Sequence, residues 1–577
     1  MLLWIEFALV LISIVLAFCF PQVRSNWFRT AEQQFAALAR HRRLACLVVG
    51  IAALGARAAV LPLLPVPQPR TDDEFSHLLL ADTLAHGRLA NPTHPMWIHF
   101  EMFHVLMRPT YASMYPPGQG IALAVGQIIA RQPFVGVWLS AAAMCAAICW
   151  MLQGWLPAEW ALLGGAIAIM RFCVFSYWAD SYWGGAVAAT GGALVLGALP
   201  RILRSPRSGD ALLMGLGLAI LANSRPYEGF ILSLPVAAAL LIWLSKMKGP
   251  QFWATVRSIL APLILVIIFA VTATGYYYWK VTGSPFRMPQ QVERDTYAVA
   301  PYFVWQSPRP EPVYRHDALR DFYLHDEMVS YDAYRQRTHT VGGLFVASVI
   351  RIVYVWIFFL GPVLTLPLLM AIAALPYGLS WAGMNWQTRF LLLASAVSIA
   401  GIGIEVFFFP HYAAPMTGLI YLVIFSAMRS AWVWKWHSKP VGRRLMTAVP
   451  IICLLMIMLR AGAAPLHLPL SPVWPPTWYN LQPIVTDRAY VQALLNGYSG
   501  KHLVMARYDR NSPVHYQRLF NEAEIDRAKI VWAWDMGPAQ NQELIDYFKD
   551  RHVWLIEPAL DKPKLIPYSV ILGQTGE

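Results

Sequence analysis

The chain reads as a polytopic α-helical membrane protein of about twelve spans with juxtamembrane helices and a small C-terminal α/β domain. Three observations predict this. Hydrophobic residues make up 57% of the 577 positions and charged residues only 13%, against about a quarter charged in a soluble chain, and the mean hydropathy is +0.46. The remaining polarity is concentrated in 64–116, 280–340 and 462–577, with apolar blocks between them. After residue 465 those blocks give way to short runs of strand length. The formal charge is +13, but the basic residues gather in short loops between apolar blocks, where they set orientation. Nucleic-acid binding is therefore excluded.

Taken in order, Met1–Phe20 lacks a basic leader and a small-residue cleavage site, so it is expected to remain as a first span. Four loops are basic, Arg24–Arg43, Arg201–Arg207, Lys246–Arg257 and Arg429–Arg444, and are assigned to the cytoplasm. That choice exports both termini. Parity of crossings makes Gly118–Ala130 a juxtamembrane or re-entrant helix and Leu344–Phe358, which carries Arg351, an interfacial helix leading into a span near 359–377. The resulting organisation is an extra span and basic loop (1–43), a membrane body (44–461) with exported loops 64–117 and 280–340, and an exported domain (462–577). Cys19, Cys46, Cys145, Cys149, Cys173 and Cys453 all fall in apolar blocks, which leaves no disulfide framework and no CxxC site.

In the last part, 502–506, 529–534 and 553–556 read as strands, with a helix over 541–549. Its charges alternate (Asp509, Arg510, Glu522, Glu524, Asp526, Arg527), as on a solvated face, and no nucleophile motif accompanies them. Trp474, Trp478, Tyr479, Trp532, Trp534 and Trp554 could stack on a sugar, but most lie in the expected strands or just after the last span, where packing or interfacial anchoring is the expected role. The domain is expected to be an accessory cap.

Chemistry is expected at Thr71-Asp72-Asp73-Glu74-Phe75-Ser76-His77, three consecutive acids opening a helix whose Leu78, Ala81, Leu84 and Ala85 suggest a stripe lying on the membrane surface. Acids at that position also cap a helix, and both readings stand. Downstream, His94, His99, Glu101 and His104 are metal-capable residue types without a metal-ligand spacing. In Tyr111–Gly120 the Pro116-Pro117-Gly118 run is a rigid turn whose following amides suit a phosphate or simply a bend. Asp180 stands among aromatics at a membrane edge, where acids are costly. Arg225 and His411-Tyr412 interrupt apolar hairpins on the same side, and a cation beside an acid-bearing cleft is what a lipid-linked phosphate requires.

In this order and on one side, Asp73-Glu74, Asp180, Arg225 and His411-Tyr412 resemble the GT-C superfamily of polytopic glycosyltransferases, which includes protein O-mannosyltransferases and the lipid A aminoarabinose transferase. The resemblance covers roughly residues 44–430, and the strings DEFSHLLLADTLAHGRLANPTHPMW and YPPGQG are similar to a bacterial branch of that superfamily. It implies inverting transfer of a sugar from a polyprenyl-phosphate donor to a lipid, glycan or protein acceptor at the outer face of the bacterial cytoplasmic membrane. Asp73, Glu74 and Asp180 would be the catalytic carboxylates, Arg225, His411 and Tyr412 would hold the donor phosphate, and His77, Tyr115 and Gln119 would form the acceptor loop. No cofactor is required by the resemblance, and a divalent metal is left open. The extra span, the α/β tail and the three adjacent acids depart from the common pattern. The competing classes are a transporter or lipid flippase, against which stands the lack of an inverted repeat or nucleotide motif, and a non-catalytic envelope scaffold.

Overall fold

The computed structural model describes residues 1–19, 26–374, 384–470, 477–479, 486–508, 519–557 and 563–568. Trp474, Asp509 and Arg510 lie outside the described residues. Among the described residues, eight helical runs are long and apolar enough to cross a membrane: Leu2–Cys19, Pro133–Trp155, Ala186–Arg204, Pro226–Ser245, Phe252–Thr282, Val341–Ala373, Pro410–Trp432 and Val441–Ala461. The other expected crossings fall on helices that are shorter or more charged. Arg42–Ala59 carries Arg42, Arg43 and Arg57, Ala158–Ala168 has 11 residues before its π-turn, Ser208–Ala222 has 15, and Trp386–Gly403 carries Arg389.

Small residues bring these helices together, as expected where lipid removes the hydrophobic drive between them. A Cβ on Gly126 would meet the backbone N of Gly136 at 2.2 Å, so Pro117–Ala130 and Pro133–Trp155 touch backbone to backbone. With 14 residues, the first of these two is about 21 Å long, shorter than the roughly 30 Å hydrocarbon core of a bilayer. The Leu344–Phe358 segment is helical and continues through a π-turn to Gly361, whose φ of 59° breaks the run before Gly361–Ala373. Deep in the body, Arg171 lies 3.3 Å from Glu6 of the first helix, and both side chains are fully buried. Arg171 also donates to the Leu360 carbonyl and lies 4.6 Å over the Trp478 ring.

Three of the four basic loops gather at one end. Arg443 pairs with Glu32 at 2.7 Å, Gln153 donates to the Arg42 carbonyl at 2.9 Å, and Arg201 donates to the Trp150 carbonyl at 2.7 Å. At the opposite end, loop 64–117 folds into the helix Asp72–Ala85 and three short strands, β1 (Asn91–Pro92), β2 (Val105–Leu106) and β3 (Thr110–Ser113), in the antiparallel order β1-β3-β2.

The α/β domain carries β4 (Lys501–Ala506), β5 (Ile530–Trp534), β6 (Arg551–Glu557) and β7 (Lys564–Pro567), in the order β5-β4-β6-β7. Strand β4 runs parallel to both of its neighbours, and β7 is antiparallel to β6. The expected helix is Pro538–Tyr547, and Asp487–Asn496 is a second one that the sequence reading did not place. This domain is seated on loop 64–117. Phe520 stacks on Phe75 at 5.1 Å, Ala523 N donates to Asp82 at 2.7 Å, Asp526 meets His94 at 2.8 Å, and Trp534 donates to the Glu101 carbonyl at 2.7 Å. The expectation that helix 72–85 lies on the membrane surface is therefore corrected. It is sandwiched, with Phe75 and Leu79 packed toward the α/β domain and Leu80 against Gly120 of the short helix, so its apolar residues face protein on both sides.

Candidate functional site

The first turn of Asp72–Ala85 distributes its three acids by helical geometry, because successive side chains point about 100° apart. Glu74 turns back. Its Oε2 accepts from the backbone N of Arg70 at 2.7 Å and of Thr71 at 3.1 Å, and its Oε1 accepts from Tyr182 N at 3.0 Å. It is the N3 carboxylate of a capping box and also clamps the loop that follows Asp180. Asp72 is buried, its Oδ1 has no hydrogen bond among the described residues, and burial followed by the neighbouring Asp73 charge pushes its carboxyl well above the usual range.

Asp73 alone faces open space, with its side chain 25% exposed and 3.5 Å from His104 Nδ1. The Tyr115 hydroxyl donates to Asp73 Oδ1 and lies 3.3 Å from the same His104 nitrogen. His104 is presented by a positive φ of 58° and by Ser76, whose hydroxyl donates to its carbonyl at 2.6 Å. His77, one helical turn after Asp73, stacks on the Tyr115 ring at 4.4 Å, and burial pushes its imidazole down to about 3, so it is neutral. Burial, and then the Asp73 charge, raises the Tyr115 phenol, which therefore stays a donor.

The Pro-Pro-Gly turn delivers this wall to the next one. Gly118 N donates to the Asn223 carbonyl at 2.6 Å, and a Cβ there would meet that oxygen at 2.6 Å. That close approach explains the glycine and uses one of the amides that the sequence reading offered to a phosphate. Two residues on, Arg225 begins helix Pro226–Ser245, 4.2 Å over the Tyr412 ring and 3.6 Å from Glu228. His411 accepts or donates at Nδ1 with the Tyr177 hydroxyl at 3.1 Å, and its ring lies 4.6 Å from Trp183. Asp73, Arg225, Tyr302 and Glu405 are all within electrostatic reach of the Tyr412 hydroxyl. The polar walls thus converge.

Of the residues singled out in the sequence, Asp73, His77, Tyr115, Arg225, His411 and Tyr412 share this cleft. Glu74, Asp180 and Gln119 are instead engaged with the loop 177–182 and with Arg57. Asp180 is buried and paired with Arg57 at 2.6 Å, while Arg57 also donates to the Ala179 and Leu64 carbonyls at 3.1 and 2.9 Å. Burial, opposed by that guanidinium, leaves the Asp180 carboxyl at about 7. Gln119 donates to the Tyr182 carbonyl at 2.8 Å and so holds the same loop as Glu74. The sequence reading missed Tyr302 and Glu405. Glu405, an acid at the end of an apolar block, carried the signal that intramembrane-edge acids give, whereas Tyr302 has no local signal. The metal-capable residues disperse: His94 meets Asp526, and Glu101 accepts from Tyr297 at 2.9 Å. Among the described residues no three His, Cys, Asp or Glu side chains converge on a metal position.

Beside the polar cleft an apolar cavity of about 230 Å³ runs between helices Val341–Val355, Trp386–Gly403 and Thr417–Trp432, lined by Ile352, Val355, Leu368, Ile399, Met416 and Ile420. The turn Pro410–Met416 joins the two spaces. Its His411 and Tyr412 belong to the cleft, and its Ala413 and Met416 to the cavity. Arg351 closes the cavity's polar end, donating to the carbonyls of Ile402, Glu405 and Val406.

No family model and no curated protein matches the chain. Solved structures that resemble it include three forms of the Archaeoglobus fulgidus oligosaccharyltransferase, each match covering 89% of this chain and 69% of the other. The form tethered to an acceptor peptide containing the NVT sequon is 10% identical with a TM-score of 0.38. The apo form is 10% identical with a TM-score of 0.40, and AglB in complex with an inhibitory peptide and a dolichol-phosphate is 9% identical with a TM-score of 0.35. Identity and score at this level bear on neither the reaction nor the substrate of the present chain.

Proposed function

We propose that the chain is a membrane glycosyltransferase of the GT-C type, which moves a sugar from a polyprenyl-phosphate donor to an acceptor hydroxyl with inversion, at the membrane face where loop 64–117 and the α/β domain lie. The observation that carries this reading is the junction at Pro410–Met416. One turn lines an apolar cavity between helices on one side and a cleft holding a carboxylate and an arginine on the other. A lipid phosphate needs that combination: hydrocarbon packed among apolar helices and an anionic head against a guanidinium.

In the proposed step Asp73 Oδ2, which has no hydrogen bond among the described residues, takes the proton of the acceptor hydroxyl, while Oδ1 is held by Tyr115 and His104. The acceptor oxygen attacks the anomeric carbon as the bond from that carbon to the phosphate oxygen breaks. The electron pair leaves on the polyprenyl phosphate, whose charge meets Arg225. Tyr412 stacks under that guanidinium and sets its plane. Glu74, Asp180 and Gln119 fix the Tyr177–Tyr182 loop that presents Tyr177 to His411. The apposition of Gly118 and Asn223 keeps the carboxylate wall beside the arginine wall.

Purified protein in proteoliposomes, supplied with a panel of polyprenyl-phosphate sugars, should release or transfer sugar from at least one of them. Movement of such lipids between leaflets with no cleavage of the sugar–phosphate bond would instead establish the flippase reading.

A further inference from the structure

The seam between loop 64–117 and the α/β domain holds three buried histidines, two of them tied by hydrogen bonds and one not. His94 Nδ1 accepts from Met96 N at 3.0 Å, which leaves the ring proton on Nε2 to be donated to Asp526 at 2.8 Å. His316, from loop 280–340, donates through Nε2 to the Ile98 carbonyl at 2.7 Å and stacks on Trp534 at 5.5 Å. His99 sits in the turn Trp97–Phe100, which packs against β5, within electrostatic reach of both. Its side chain is fully buried, and neither ring nitrogen has a hydrogen bond among the described residues.

A neutral imidazole carries one donor and one acceptor, and leaving both idle in a buried place costs free energy. A charged one is worse placed still. Around it stand His94 and Glu101 of its own loop, Tyr297, Arg315 and His316 of loop 280–340, and Asp526 and Tyr547 of the α/β domain. Both carboxylates are committed elsewhere. Glu101 accepts from Tyr297 at 2.9 Å and lies 3.4 and 3.5 Å from Arg315 and His316, while Asp526 accepts from His94 and, at 3.1 Å, from the Tyr547 hydroxyl. Arg108 and Arg315 each lie 4.8 Å from the ring of neighbouring Trp97, which adds positive charge nearby. Burial, then the charges of His316 and His94, push the His99 imidazole down to about 4.

We propose that His99 is a proton-sensitive latch for the α/β domain: on taking up a proton its ring leaves the seam, and the domain lifts off loop 64–117. The direction follows from linkage. A base that binds protons less well in the docked state holds the seam closed while it is neutral, and protonation favours the open form. Released to water, the ring returns to its ordinary 6.5. Docking is therefore complete above that pH and declines as pH falls toward 4. Between pH 7 and pH 5 the ratio of open to docked protein rises about twentyfold. The helix that bears Asp73 then loses the Phe520 stack and the Ala523 hydrogen bond that hold it against the domain. On the transferase reading, the pH at that face of the membrane governs the wall that carries the base.

Hydrogen exchange of the full-length protein in detergent tests the latch without any turnover. Protection in peptides spanning 97–103 and 520–526, corrected for the intrinsic rate at each pH, should fall about twentyfold from pH 7 to pH 5. Residues 501–506 of β4 should keep their protection, because the domain moves as a body. In His99→Leu, and in His99→Gln should the first variant fail to fold, the fall at the seam should shrink to about threefold or less. Protection at the seam that ignores pH in the unaltered protein, an equal fall in the folded His99 variant, or a simultaneous loss of protection in β4 would overturn the proposal. No sugar donor enters the measurement. A protein that opens with acid as described yet acts on no polyprenyl-phosphate sugar contradicts the transferase reading and leaves the latch standing.

Discussion

Replacing Asp73 by Asn tests the proposed chemistry at its centre. The substitution keeps shape, and an amide oxygen still accepts from the Tyr115 hydroxyl, so the packing of Tyr115, His77 and His104 persists. What is lost is the charge assistance of that hydrogen bond, about 1 kcal/mol, a small part of the 5–15 kcal/mol by which domains are typically stable. The side chain is 25% exposed, so no buried group is left unsolvated. The kinetic effect is far larger. An amide cannot take the acceptor proton, and general-base assistance of this kind contributes about 10²- to 10⁴-fold, equivalent to about 3 to 5 kcal/mol of barrier. Transfer of radiolabelled sugar in proteoliposomes at saturating donor should therefore fall by that factor. Donor Kd should stay within about threefold, because Asp73 lies across the cleft from Arg225 rather than on the phosphate. Transfer within tenfold of the unaltered protein at an unchanged Tm would refute the assignment of Asp73 as base.

Arg225→Ala should weaken binding of a sugar-free polyprenyl phosphate about ten- to a hundredfold, the loss of a charge-assisted contact worth roughly 1.5 to 3 kcal/mol; unchanged affinity would remove it from the donor site. Glu74→Gln should act on the fold, since an amide nitrogen must then face one of the backbone N–H groups that the carboxylate accepts from. A lower thermal midpoint in detergent, by about 1 to 3 kcal/mol equivalent, is expected, and wild-type stability with lost turnover would make it catalytic after all. His77 is held neutral, at about 3 against an ordinary 6.5. The unfolded chain thus binds more protons below pH 6.5, and stability falls as pH is lowered through that window. His77→Phe should flatten the decline between pH 7 and 4.5, and identical pH profiles would show that another group governs it.

How far these features could be read in advance depended on their range. Membrane character and the strands of the α/β domain follow from composition and from periodicity over fewer than ten residues, and β4, β5 and β6 fall where such runs were marked. Cleft membership was legible for Asp73, Arg225 and His411 because an ionisable residue at a membrane edge is itself a signal. The separate fates of Asp72, Asp73 and Glu74 were not. One turn of helix points them in different directions, and only the partners at Tyr182 and Tyr115, 108 and 42 positions away, reveal which is clamped and which is presented. The surface-lying helix was misjudged for a related reason: an apolar stripe specifies burial but not whether lipid or protein supplies it. Span counting met the same limit, since a helix such as Ser208–Ala222 has only 15 residues, of which Ala211, Met214, Gly217 and Leu221 are buried against neighbours.

The pairing of Glu6 with Arg171 has a consequence for the order in which the chain is assembled. A guanidinium entering hydrocarbon without a partner costs several kcal/mol, yet 165 positions separate the two, with the acid synthesised first. When the helix bearing Arg171 leaves the ribosome, its counter-charge is already waiting in the first helix. The remaining coordination comes much later, from the Leu360 carbonyl and the face of Trp478. Through most of biosynthesis, then, the arginine depends on that early acid alone. Changing Glu6 to Leu would burden both stages: insertion of the helix bearing Arg171, appearing as degraded nascent chain, and the finished protein, in which a fully buried guanidinium loses its counter-charge.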